Sequence, residues 1–194
     1  MASARILSDA AQPLSVQSTA EHADAPRMAL RVATPTDIPA LMALKREMAI
    51  ADGSEPLVDA TVEDWVMGGF GPRPQFAAFV AEPEQADDDV VGMLIFNERY
   101  YAGWARPSFY VQDLYVVPAY RRRGIGRDLL ARLSAHAVSR NAAMVEMHAH
   151  TANPAGQLYR RAGFQPQPQC RAYTLWGPAL AKLADSLMDD AGRR

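Results

Sequence analysis

The sequence predicts an α/β fold: a sheet that is antiparallel through its middle hairpins, with helices on both faces. Short strand-like apolar runs alternate along the chain with stretches of helical apolar spacing. The connections between them are short and rich in turn formers. One run, 107–117, is apolar on both faces except at Gln112 and Asp113, as a central strand should be.

Taken in order, residues 1–27 are rich in Ala, Ser, Gln and Asp, lack a period, and read as a mobile tail. Met28, Leu30 and Val32 alternate as a strand would. Thr34, Pro35, Thr36 and Asp37 offer turn and N-cap chemistry ahead of a helix whose face is marked by Ile38, Leu41, Met42 and Met48. Thr61, with Asp64 three positions on, caps a second helix that Gly68 and Gly69 should stop. Residues 75–82 and 90–100 form a hairpin around an acidic turn at Asp87, Asp88 and Asp89. Helical spacing resumes at Ile125, Leu129, Leu130, Leu133 and Ala137. A strand at 142–150 follows, then a short helix carrying Leu158, Tyr159 and Ala162 that Gly163 caps. Residues 172–176 read as a last strand, and Leu180, Leu183 and Leu187 as a C-terminal helix. With no repeat or boundary visible, 28–177 is one domain, and 178–194 a terminal helix and tail.

Lys and Arg number 20 against 22 Asp and Glu, a net charge of −2, which argues against a nucleic-acid partner. Apolar residues make up 49% and charged residues 22%, which suits one globular core and excludes wholesale disorder. Cys170 is the only cysteine, so no intramolecular disulfide and no cysteine metal cage can form, and a reducing, cytoplasmic setting fits best. Neither a secretion signal nor a membrane-length apolar run is present, so a soluble protein with no membrane partner is expected. Cys170 itself has no sequence companion for nucleophilic chemistry and reads as a buried bystander.

The chemistry concentrates in 111–130, VQDLYVVPAYRRRGIGRDLL. A strand ends at Pro118, a loop with three arginines and two glycines follows, and a helix begins at once. Free N–H groups and the dipole at such a helix start attract an anion. Gly124 and Gly126 clear space where a phosphate would touch backbone, and Arg121, Arg122, Arg123 and Arg127 supply charge for a polyphosphate. A Walker loop would need Gly-Lys-Ser or Gly-Lys-Thr, and a Rossmann fingerprint a glycine where Leu129 stands, so both fail.

The spacing Arg121-x-x-Gly124-x-Gly126 resembles the acyl-CoA loop of the GNAT acetyltransferases, and the likeness spans Leu30 to Trp176. Within that superfamily the chain is most similar to the diamine (spermidine/spermine) acetyltransferase branch. The supporting stretches are Gly69-Phe70-Gly71 with Pro74 and Phe76, Tyr100 with Trp104, and the run at 117–126. The resemblance implies a mainly antiparallel sheet splayed open at the acyl-CoA site. It implies acetyl-CoA as cosubstrate, no metal, a small-molecule amine acceptor and a homodimer. Backbone groups of Leu114, Tyr115 and Val116 would pair with the pantetheine arm like an added strand, and those from Arg122 through Ile125 and Gly126 to Arg127 would hold the pyrophosphate. Tyr159 matches the family tyrosine beside the thioester sulfur, with a role as general acid toward the departing thiolate. A packing role on an apolar helix face is the alternative.

The sequence departs from the branch at three places. Gln112 replaces a glutamate that serves as base and amine ligand, and Gln112 cannot take a proton. Ala102 replaces an aspartate, and Ala152 an asparagine. Asp113 acting through water is therefore expected as the proton acceptor. Glu146, His148 and His150 alternate along the following strand and could relay protons or ligate a metal, although this chemistry needs no metal. Trp104, with Tyr100, Tyr101, Phe109 and Tyr110, could wall an amine pocket or simply pack a hairpin. Function therefore reads as an N-acetyltransferase working by direct attack of a primary amine in a ternary complex. The alternatives are a protein N-terminal or lysine acetyltransferase, or an acyl-CoA-binding module with impaired catalysis.

Overall fold

The computed structural model describes residues 27–54, 59–84 and 90–191. The expected tail at 1–26, the acidic turn at 87–89 and the side chain of Leu187 lie outside the described residues. The chain divides into two compact units, Met1–Ala162 and Gly163–Arg194.

In the first unit, β1 (Met28–Val32) leads through a 3-10 turn at Pro35–Asp37 into α1 (Ile38–Asp52) and α2 (Val62–Phe70). Then come β2 (Ala77–Pro83), β3 (Gly92–Tyr101), β4 (Arg106–Val116), α3 (Ile125–Ser139), β5 (Val145–Met147) and α4 (Gly156–Arg161). The five strands stand in the order β1-β2-β3-β4-β5; the first four run antiparallel, and β5 pairs parallel with β4. This is the mixed, mainly antiparallel α/β sheet the sequence predicts.

Alternation along the strands sorts side chains between two cores. On one face Ala78, Val80, Met93, Ile95 and Tyr115 pack with Leu41 and Leu44 of α1, joined by Trp65 and Phe70 of α2 and by Phe76. On the other, Phe79 and Phe96 stack with ring centres 5.2 Å apart, Phe109 meets Phe96 edge-on at 5.8 Å, and His136 of α3 lies 5.0 Å from Phe109. Burying an aromatic ring of this kind contributes about 1.5–3 kcal/mol. The helices thus cover both faces.

Four expectations are corrected here. Gly68 and Gly69 do not stop α2, which continues to Phe70. Their role is close approach: the ring of Phe76 lies on them, and a Cβ on Gly69 would come within 2.8 Å of it. The start of α2 is as expected, with Thr61 N–H donating to Asp64 Oδ2 at 2.8 Å and Asp64 N–H donating to Thr61 Oγ1 at 3.2 Å. The strand expected at 142–150 forms a regular ladder only at Val145–Met147, opposite Phe109–Val111 of β4, with Ala143 and Met144 bonded to Pro107 and Phe109 ahead of it. The run 172–176 is not a strand: β-favouring side chains do not make one where no ladder partner is paired, and 164–176 carries no helix or strand. Cys170 lies in this stretch and is exposed rather than buried. Beyond it, α5 (Gly177–Ala191) is the C-terminal helix.

One ionic knot holds the entry to the fold. Arg31 Nη1 and Nη2 donate to the two oxygens of Asp37 at 2.7 and 2.8 Å, while Nε and Nη2 donate to Glu82 at 3.0 and 2.7 Å. This ties β1 and β2 to the turn before α1. Burial alone would raise the carboxyl pKa of Asp37, but the Arg31 guanidinium and the N–H and hydroxyl of Thr34 outweigh it and hold the carboxyl below its ordinary value. A depressed native pKa stabilises the fold above the unfolded value near 4, and that contribution is lost as pH falls through the native pKa. Arg31→Met should therefore cost about 2–3 kcal/mol at pH 7 in denaturant unfolding, with the penalty shrinking below about pH 4. A pH-independent penalty would show that Arg31 acts through packing alone.

Candidate active site

The site grows from the C-terminal end of β4. A register shift falls between Ile95 and Phe96, opposite Asp113 and Val111, which leaves Gln112 as the extra residue of a β-bulge. Before the bulge, Phe109 N–H donates to Met144 O at 3.0 Å, toward β5; after it, Val117 N–H donates to Val91 O at 2.9 Å, toward β3. Backbone direction alternates along a strand, so Tyr115 turns its amide and carbonyl toward β3, while Leu114 and Val116 turn theirs outward. Among the described residues no strand pairs with that outer edge beyond Val111, and here the β4–β5 pairing ends.

Past a 3-10 turn at Pro118–Tyr120 the chain reverses into α3. Gly124 is its N-cap at φ 86°, a left-handed conformation natural to glycine, and Arg122 shares that region at φ 66°. The first intrahelical bond runs from Asp128 N–H to Gly124 O at 3.0 Å, so the amides of Ile125, Gly126 and Arg127 precede the helical ladder. Arg122, Arg123, Gly124 and Arg127 are exposed. Arg123 lies over the Tyr120 ring at 5.0 Å. Arg121 folds back instead, with Nε donating to Val116 O at 2.8 Å and the guanidinium 5.3 Å from the Tyr115 ring centre. One anion sits in this turn: burial raises the carboxyl pKa of Asp128, with Arg127 opposing.

At Gly126 a Cβ would lie 3.2 Å from Leu158 Cδ2, so the missing side chain lets α4 dock against the start of α3. The next residue on α4 is Tyr159, half-buried. Burial first, and then the negative charge of Asp52 at the end of α1, push its phenol pKa above the ordinary tyrosine value. The tyrosine stays protonated at neutral pH.

Other expected residues scatter. Asp113 faces α1, where Lys45 Nζ donates to its Oδ1 at 2.6 Å, so this oxygen is engaged rather than open. Gln112 is exposed and donates to Asn97 Oδ1 at 3.3 Å. The proposed aromatic wall does not form as one surface. Phe109 is in the core, Tyr110 is on the opposite face with Arg99 3.7 Å above its ring, and Tyr101 packs against Trp104 with the rings tilted at the far end of the β3–β4 hairpin. At about 3.3 Å per residue, Trp104 is on the order of 20 Å along the strand from Gln112. Glu146 pairs with Arg99 at 3.4 Å, His148 meets the Tyr110 ring edge-on at 5.5 Å, and His150 Nδ1 accepts from Ala152 N–H at 3.2 Å, so the three do not converge. Among the described residues no group of three His, Cys, Asp or Glu side chains is placed to hold a metal.

Sequence reasoning missed the contribution of α1. Lys45, Glu47, which accepts from Tyr115 Oη at 3.3 Å, and Asp52 all reach toward β4 and α4. A signal was present: Leu41, Lys45, Met48 and Asp52 share one helical stripe, so two charges interrupt an apolar face, and Lys45 is one of two lysines in the chain.

Comparison with known proteins adds likenesses to this geometry. Residues 74–166 match the family described as "Acetyltransferase (GNAT) domain". The chain is 29% identical over 113 residues to the human spermidine/spermine N(1)-acetyltransferase-like protein 1, covering 57% of this chain and only 16% of that protein. It is 26% identical over 163 residues to the thialysine N-epsilon-acetyltransferase of Mus musculus, covering 80% of this chain and 96% of that one. Its fold is similar to that of an integron cassette protein from the mobile metagenome of V. cholerae, with TM-score 0.67 and 22% identity over 81% of this chain and 97% of that one.

Proposed function

We propose that the chain, whose residues 74–166 match a GNAT acetyltransferase domain, is an N-acetyltransferase that transfers acetyl from acetyl-CoA to a primary amine of a small molecule. Attack is direct, within a ternary complex. One observation carries this reading: the open edge at Leu114 and Val116, the glycine turn at the start of α3, and Tyr159 on α4 are continuous, joined by the contact of Leu158 with Gly126. A small acceptor agrees with the likeness to the thialysine enzyme, which this chain matches over nearly its full length. The expectation of a homodimer rests on likeness to the diamine branch, and that of a cytoplasmic setting on the single cysteine.

The residues present fit acetyl-CoA. Amides from Arg122 to Arg127 would take the pyrophosphate in a turn with arginines around it. Outward backbone groups of Leu114 and Val116 would pair with the amides of the pantetheine arm. The Val116 carbonyl already accepts from Arg121 Nε, which leaves its second lone pair for the arm. An arm running from the turn back along Val116 and Leu114 ends at the Gln112 bulge, beside Asp113 and within the part of the site that Tyr159 bounds. Acetyl-CoA supplies an acyl group activated as a thioester. Tyr159 holds its proton at neutral pH and donates it to the thiolate as the C–S bond breaks. Gln112 and the charge-compensated Asp113 border the acceptor amine, and neither is an open base; the ammonium gives its first proton to solvent, the neutral amine attacks, and the N–H proton shed as the amide forms returns to the Tyr159 oxygen, so that amide and free CoA thiol result.

Release of free CoA thiol across a panel of amines tests the activity. For the cosubstrate site, Gly126→Glu places bulk and negative charge on the turn, and calorimetry should show acetyl-CoA affinity falling about ten- to a hundredfold, the worth of one charged phosphate contact. Unchanged affinity in a folded variant would remove the assignment. Tyr159→Phe keeps the ring and deletes the hydroxyl. Its kcat should drop about 10²- to 10⁴-fold while acetyl-CoA affinity holds. An unchanged single-turnover rate would reduce Tyr159 to packing.

A further inference from the structure

The contact between Lys45 and Asp113 joins α1 to the residue just after the bulge, where the proposed acetyl-transfer site ends. Its length is 2.6 Å, and the two side chains are only 27% and 10% exposed. An ammonium and a carboxylate so placed cancel each other locally, and burial makes separating them costly. Lys45 stands on the α1 stripe that packs on the sheet, so its ammonium is delivered to Asp113 by a rigid helix. Gln112 beside it is neutral. The bulge therefore offers an incoming amine no uncompensated negative charge.

We propose that Lys45 is a specificity-determining positioning residue: by occupying Asp113 it sets the acceptor site against amines that carry a second positive charge, and in favour of singly charged amines. The inference rests on the acetyl-transfer reading above. Lys45 touches no reacting atom; it acts by deciding whether Asp113 can bind a substrate cation. If its ammonium is removed and its apolar stem kept, Asp113 is left partnerless, and the second ammonium of a diamine becomes the natural replacement.

The test compares butylamine with putrescine, which share a four-carbon chain and differ by one ammonium. Kinetics of CoA-thiol release in wild type come first: no turnover of any amine in the panel removes the acetyl-transfer reading itself, while turnover with putrescine strongly preferred overturns the role of Lys45 alone. In Lys45→Met the ratio of kcat/KM for putrescine over butylamine should rise about tenfold, chiefly through the KM of putrescine. Lys45→Arg, which keeps the charge, should restore the wild-type ratio. The charge-neutral double variant Lys45→Met with Asp113→Asn guards against a folding defect in the single variant, and it should also show the wild-type ratio. A purely structural Lys45 would lower both substrates alike and leave the ratio flat in every variant. That result, or a double variant that still prefers putrescine, would overturn the proposal.

Discussion

The site depends on the single extra residue in β4. At Gln112 two residues on one strand face one on the other, and everything after that point is turned over relative to everything before it. Phe109 and Val111 look into the core under α3, whereas Asp113 and Tyr115 look toward α1. The same step switches the backbone: groups that reach β5 before the bulge give way to groups that reach β3 after it, and the outer edge is left with donors and acceptors but no partner strand.

The bulge in turn requires a clamp. Backbone that leaves its ladder loses restraint, and here α1 supplies it through Lys45 on Asp113 and Glu47 on the hydroxyl of Tyr115. The start of α1 is itself tied down by Arg31, whose guanidinium serves Asp37 and Glu82 together. Charge compensation thus runs from the first strand to the site. At Asp37, Glu82 and Asp113 burial of a carboxylate is tolerated because a cation arrives from a different element.

The glycine turn shows how local and tertiary demands meet in one position. Gly124 is used for its left-handed φ, a purely local need. Gly126 is used because Leu158 of α4 lies against it, which docks the helix that carries Tyr159 on the first turn of α3. The high phenol pKa of Tyr159 follows from the same docking, through burial first and Asp52 second.

What the sequence by itself determined is whatever a few neighbouring residues decide through hydrogen bonding and periodicity. The reciprocal cap of Thr61 and Asp64, the strands at β1 to β4, the faces of α1 and α3, and the Arg121-to-Gly126 turn are all of this kind. Tertiary structure alone decided the rest. Lys45 and Asp113 lie 68 positions apart, and no local rule pairs them. Phe109 and Tyr110 look like one aromatic run in sequence, but strand alternation sends them to opposite faces, and the hairpin carries Trp104 far from the bulge. The short reach of β5 and the unpaired run at 172–176 have the same origin, because a strand exists only where a partner offers a ladder, and its partner's position is a property of the whole fold.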